Sequence, residues 1–318
     1  MKAMIRRVLE HPLLQEKPPV LLDIGASSRI HPRWRSLAPH SICIAFDPDV
    51  RLMDHVPAAA KAFRRYHVMP MIVHDSVDGE CDFYLASSPE CSSTLKLRSE
   101  AVKRWHFQYF FQLAEKTALP CGTLPRILAG LGIDAVDCFK ADTQGTDLRI
   151  LTSLGADKIA RLLTVELEPG PSVAYENDDT AGMVLRYMET HPEFRLIDLR
   201  PLGSQYFPLD LEEKYLTCWQ RRLIPTVHRS SPLWFELTWL NDFSRADEAL
   251  FGKREYLLGW VLAMEDREFG WALELCQRGE TQFDDPLFGE LRAATLKSIP
   301  WLGPTVKRLA RKLFGCDR

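Results

Sequence analysis

At 318 residues the chain is long enough for one large domain with an appendage, or for two domains. Its composition, 46% hydrophobic and 26% charged, is that of a globular protein and excludes a disordered or fibrous one. A net charge of −3 argues against bulk nucleic-acid binding, and no nucleic-acid partner is expected.

Residues 2–15 read as a short amphipathic helix stopped by Lys17-Pro18-Pro19, with charges where a signal peptide needs its apolar core. Val20 to Gly25 is a compact apolar run ended by glycine, the pattern of a fully buried strand. Two more such runs follow, Ser41 to Phe46 before Asp47-Pro48-Asp49, and His67 to Val73 before His74-Asp75-Ser76. Glu80 to Leu85 alternates after the Asp78-Gly79 turn and predicts a half-exposed strand. Val136 to Ala141 predicts another buried strand, with a helix over 146–154. Leu162 to Leu167, a helix over 180–190 and Phe194 to Leu199 continue the alternation, and Tyr215 to Trp219 is expected to close the sheet.

This order predicts a doubly wound α/β sheet over residues 1–222. Beyond it, 223–318 reads as a tryptophan-rich helical extension or lid, with helices over 255–267 and 269–278 and one or two more after 285. Trp234, Trp239, Trp260 and Trp271 fall at helical spacing and are expected in a core between helices. YLLGWVLAM is about half of the ~20 residues that span a bilayer. The eight cysteines show no C-x-x-C and no zinc-ligand spacing, so no metal ligand is assigned among them and a reducing cytoplasm is expected. Residues 301–315 place Val306, Leu309, Ala310 and Leu313 on one helical stripe and Lys307, Arg308, Arg311 and Lys312 on the other side. Such a helix can lie peripherally on an anionic membrane or dock on the acidic remainder of the chain.

In open α/β sheets ligands bind beyond the carboxyl ends of the strands, so the chemistry should follow each apolar run. The first end, Asp23-Ile24-Gly25-Ala26, lets a backbone turn tightly against a ligand at glycine. Asp47 stands 24 residues after Asp23, where a carboxylate can grip two ribose hydroxyls. Asp75 and Ser76 can bond an adenine amino group. The glycines of a pyrophosphate site, G-x-G-x-x-G, are missing, which implies a nucleoside without a pyrophosphate and disfavours a nicotinamide oxidoreductase.

Five segments in order, VLLDIGASSRIHPRWRSLAP, AFDPD, SPECSSTLKL, DCFKADTQGTDLRILTSLG and LLTVELE, resemble the FkbM family of S-adenosylmethionine-dependent methyltransferases over about residues 20–220. The most specific piece runs from Lys140 to Asp147 and is similar to the family's K-x-D-x-[EQ]-G-x-[DE] signature. The resemblance implies a class I methyltransferase fold, Rossmann-like, with a seven-stranded sheet whose last strand is antiparallel. It also implies O-methylation of a carbohydrate, glycoconjugate or other small-molecule hydroxyl. Carried over, Asp23, Gly25 and Ala26 would line the methionine part of the cofactor, Asp47 would hold the ribose, and Asp75 or Ser76 would sit near the adenine.

Methyl transfer to a sugar hydroxyl needs in-line alignment and help with the proton. Asp142 ends the fourth strand and Glu166 lies near the end of the fifth, so the two are expected to share a crevice. There they can act as base and orienter, or together hold a divalent cation. Lys140 is expected as a buried partner of Asp142 or Glu166 rather than a catalyst. His31 and His74 are loop histidines that read as a base or as polar surface, and Glu168, Asp178 and Asp179 read as acceptor contacts or as a solvated acidic loop. A non-catalytic methyltransferase-like binding module is the alternative reading of the same residues.

Overall fold

The computed structural model describes residues 1–26, 30–49, 51, 60–244 and 250–299. Ser27, Ser28 and the segment 301–315, with its expected amphipathic helix, lie outside them. The strands in chain order are β1 (Val20–Ile24), β2 (Ile42–Phe46), β3 (Arg65–Met69), β4 (Ile72–Val73), β5 (Gly79–Ala86), β6 (Leu113–Gly122), β7 (Cys138–Ala141), β8 (Thr164–Leu167), β9 (Phe194–Ser204) and β10 (Ser231–Asn241).

The apolar runs form the centre of a seven-stranded, mostly parallel sheet in the order β3-β2-β1-β7-β8-β10-β9. Only β10 runs against its neighbours, pairing antiparallel with both β8 and β9. The fold is α/β and Rossmann-like. From β1 the chain moves out to β2 and β3, then returns on the other side of β1 as β7. The order therefore reverses between β1 and β7, and a crevice opens beyond their carboxyl ends. All residues of β1, β7 and β8 are buried, which is why these strands read as mostly apolar runs, broken only by Asp23, Lys140 and Glu166, rather than as alternating ones. Leu22, Phe139, Leu151 and Leu237 belong to the core of this sheet and its helices.

Several elements depart from the sequence expectation. The run His67 to Val73 splits at Pro70, which lacks the N–H a central strand must donate. Arg65–Met69 stays in the main sheet, while Ile72–Val73 pairs with β6. The expected strand at Glu80 to Leu85 exists as β5, but in a separate three-stranded sheet, β4-β6-β5, inserted between β3 and β7. β6 itself carries no sequence signal, because most of its residues are exposed or half-exposed and show no apolar face.

Tyr215 to Trp219 does not close the sheet. Helices Leu209–Tyr215 and Cys218–Val227 occupy this stretch, the second opened by a capping box in which Gln220 Oε1 accepts from Thr217 N at 2.8 Å. The closing strand is β10, within the stretch read as helical. Its second half, Leu237–Asn241, is buried throughout and so shows no alternation; Trp239 lies in that half and Trp234 in the half-buried first half, so both are strand residues and not core between helices.

The chain divides into two compact units. The sheet belongs to Pro12–Phe251, so the boundary expected at 222 falls before the sheet is complete. The other unit gathers Met1–His11 with the described residues from Gly252 onward. Within it Lys253–Glu265 is buried along Tyr256 to Met264, the pattern of a helix enclosed on all sides. Trp260 Nε1 donates to Thr295 Oγ1 at 2.9 Å from helix Pro286–Ser298. Helix Phe269–Phe283 supplies Gly279, where a Cβ would stand 2.5 Å from the Phe288 ring. Trp260 and Trp271 are core between helices, as expected. Among the described residues no helix is long and apolar enough to cross a membrane.

Candidate functional site

The crevice at the β1/β7 switch is a cleft enclosing about 60 Å³. Its floor is Gly25, which follows β1 in the left-handed region at φ 81°. A Cβ there would lie 2.0 Å from the carbonyl oxygen of Asp142, so only glycine lets the two strand ends meet so closely. Gly25 N and Ala26 N both donate to the Phe46 carbonyl, at 2.9 and 3.0 Å, and Asp142 N donates to the Ile24 carbonyl at 2.9 Å. These bonds bring the ends of β1, β2 and β7 to one point. Asp47, just past β2, lines the cleft and accepts from Asp49 N at 2.8 Å. Asp49 is buried and taken up by Arg51 and Ser92. Beyond Asp47 the walls become apolar, with Phe46, Met71, Val73 and Phe83.

The segment from Lys140 to Asp147 divides its labour by position. Asp142 faces the cleft, and its Oδ1 accepts from Gln144 Nε2 at 2.7 Å. Burial pushes the Asp142 carboxyl above the usual carboxylate range, against the pull of Lys140 and the Gln144 bond. Gln144 sits at φ 56°, a conformation rare for a side chain of its size, and its surroundings hold it there. Ser93 Oγ donates to its carbonyl at 2.8 Å, and Tyr175 Oη donates to its Oε1 at 3.3 Å. Asp147 is buried and accepts from Thr143 N at 2.8 Å, Thr143 Oγ1 at 2.5 Å and Glu168 N at 2.9 Å. It ties the loop after β7 to the end of β8.

On the sheet face opposite Ile24, strand register aligns Asp23, Lys140 and Glu166 side by side across β1, β7 and β8. Lys140 Nζ lies 3.8 Å from Asp23 and 3.6 Å from Glu168, so its partners differ from the Asp142 or Glu166 expected. Burial opposes its charge, but the surrounding carboxylates, Asp23 foremost, outweigh that and hold the ammonium protonated. Glu166 is engaged by His31 Nε2 at 3.0 Å, with Arg33 Nε at 4.0 Å. Burial raises its pKa, yet the His31 bond and the nearby cations win and keep it below the usual value.

The structure thus brings together Gly25, Asp47 and Asp142 and sets the other expected residues apart. Asp23 and Ala26 are buried beside the cleft without lining it. Glu166 does not line it either, because its strand position points it at His31 instead of Asp142. Asp75 and Ser76 lie in an adjoining hollow that shares Val73, Thr94 and Thr146 with the cleft. There His74 Nδ1 accepts from Ser76 N and Val77 N, both at 3.1 Å. Asp178 and Asp179 are buried rather than solvated: the first accepts from Ala174 N and Tyr175 N, the second from Arg149 N. Phe83, Met71 and Tyr175 are cleft or near-cleft residues with no sequence signal beyond apolar character. Glu168 had one, standing two residues past Glu166 on a strand end.

Glu168 sits in a strongly perturbing environment. Burial, then the Asp142 charge, raises its pKa from 4.5 to about 9. The folded state therefore keeps a proton that the unfolded chain releases above 4.5. The contribution of Glu168 to stability is therefore largest at low pH and declines as pH rises from 4.5 toward 9. Thermal unfolding followed across that window should show this decline, and Glu168→Gln should flatten it. The slope should not vanish, because Asp23 and Asp142 shift the same way. A pH profile unchanged by the substitution would assign the decline to other groups.

Among the described residues no three His, Cys, Asp or Glu side chains form a group that could hold a metal ion, and Asp142 and Glu166 make no such clamp. No protein-family model, curated protein or solved structure matches the chain.

Proposed function

We propose that the chain is an S-adenosylmethionine-dependent O-methyltransferase acting on a hydroxyl of a carbohydrate or glycoconjugate. The observation that carries the reading is the cleft itself, which gathers Gly25, Asp47 and Asp142 from three separate strand ends. A sheet whose last strand in sequence, β10, runs antiparallel supports the class I methyltransferase fold. The motif similarity in 20–220 supports the acceptor class.

The residues present fit a nucleoside cofactor. Asp47 offers a carboxylate for the ribose hydroxyls, and the apolar walls at Met71 and Phe83 suit the flat face of a base. Gly25 gives the close backbone approach, and a single glycine suffices because no pyrophosphate must be accommodated. When bound, the cofactor supplies an electrophilic methyl group. Asp142 then takes the proton of the acceptor hydroxyl, its basicity increased by burial. Gln144 and Tyr175 hold that carboxylate in place.

Asp47→Ala tests the assignment. Loss of a charge-assisted bond is worth ~1.5–3 kcal/mol, so S-adenosylmethionine should bind about 10- to 100-fold more weakly by calorimetry, with the fold intact. Unchanged affinity in a folded variant would remove Asp47 from the site.

A further inference from the structure

The two helices that precede β10, Leu209–Tyr215 and Cys218–Val227, leave a large apolar surface uncovered. Each touches the rest of the unit through little of itself. The buried residue of the first is Glu212, which meets His106 Nδ1 at 2.7 Å, and that of the second is Ile224. Leu211, Tyr215, Trp219 and Val227 stand exposed, Tyr215 at 66% and Trp219 at 70%. Together with half-buried Leu223 they recur at four-residue steps, the spacing that keeps side chains on one side of a helix. Arg221 lies 3.6 Å from Glu213 and ties one helix to the other. Single exposed apolar residues are ordinary, but a row of this kind marks a surface that meets something other than water.

The charges beside that row say what it meets. Glu212 is set against His106 and Glu213 against Arg221, so the exposed cations Lys214, Arg222 and Arg229 outnumber exposed Asp210. We propose that these two helices form a peripheral docking face for an anionic lipid bilayer. Trp and Tyr rings suit the boundary between headgroups and acyl chains, and Lys and Arg beside them stay with the anionic headgroups. A second copy of the chain fits this face less well, because a two-fold contact sets one patch against itself and brings its cations together. The docking face is independent of the methyl-transfer reading of the cleft.

The test is co-sedimentation of the full chain with vesicles of phosphatidylcholine alone, or of phosphatidylcholine mixed about 3:1 with phosphatidylserine, at low and at high salt. The chain should bind the mixed vesicles about tenfold more tightly than the neutral ones, and salt should weaken that binding. Trp219→Ser, and separately Arg222→Glu with Arg229→Glu, should each lower affinity for the mixed vesicles about tenfold. All three side chains are exposed, so the thermal midpoint of both variants should stay at the wild-type value. Wild-type chain left in the supernatant with both vesicles overturns the proposal. Pelleting that both variants retain also overturns it, and moves the lipid contact elsewhere, such as to residues 301–315. A concentration-dependent dimer that Trp219→Ser abolishes, without vesicle binding, gives the face to a second copy instead.

Discussion

Gly25→Ala is expected to abolish S-adenosylmethionine binding and to cost the protein about 2–5 kcal/mol of stability. Two effects add. The residue sits at φ 81°, where a side chain costs ~1–2 kcal/mol, and its Cβ would overlap the Asp142 carbonyl at 2.0 Å. That neighbour is backbone at the end of β7, so it can yield only by parting two paired strand ends. Separation there displaces Asp142 and opens the floor of the cleft. Denaturant unfolding and titration together measure both consequences. A variant with wild-type midpoint and wild-type affinity would show that the approach of Gly25 to Asp142 does not shape the site.

Asp142→Asn is expected to lower turnover by ~10²- to 10⁴-fold, the usual contribution of a positioned base, while cofactor affinity stays near wild type. The amide keeps the shape of the side chain and can still accept from Gln144 Nε2, so the loop after β7 should hold. It loses the charge and the capacity to take a proton. In the wild type, turnover should rise with pH through the elevated pKa of Asp142, and this limb should disappear in the variant. Methyl transfer from labelled S-adenosylmethionine to a carbohydrate acceptor measures both. Wild-type turnover in Asp142→Asn would reduce the residue to a member of the loop's hydrogen-bond network.

The parts of this site that are legible in sequence are those carried by buried parallel strands. Val20 to Gly25, Val136 to Ala141 and Leu162 to Leu167 are buried on both faces and mostly apolar, so strand ends and the residues after them can be read directly. Gly25, Asp47 and Asp142 follow from that alone. Side-chain direction is harder, because a shift of one residue turns a group to the other face. Asp23 and Glu166 share a face with Lys140 and join its charged row instead of the cleft. Asp75 and Ser76 miss the cleft because Pro70 diverts the chain into the inserted sheet. That insertion was the least legible region. Its long strand, Leu113–Gly122, is mostly exposed, and its service to the site lies in loop residues such as Cys91 and Ser93, which pack against Tyr175 and Gln144. β10 escaped for the opposite reason, its second half being too uniformly buried to alternate.

The most direct measurement is a calorimetric titration of S-adenosylmethionine into the full chain beside an equal titration of a nicotinamide dinucleotide. The account predicts saturable binding of S-adenosylmethionine at one site, lost in Gly25→Ala, and no comparable binding of the dinucleotide, whose pyrophosphate finds one glycine where it needs three. Absence of S-adenosylmethionine binding to the folded chain, or tighter binding of the dinucleotide, would contradict it.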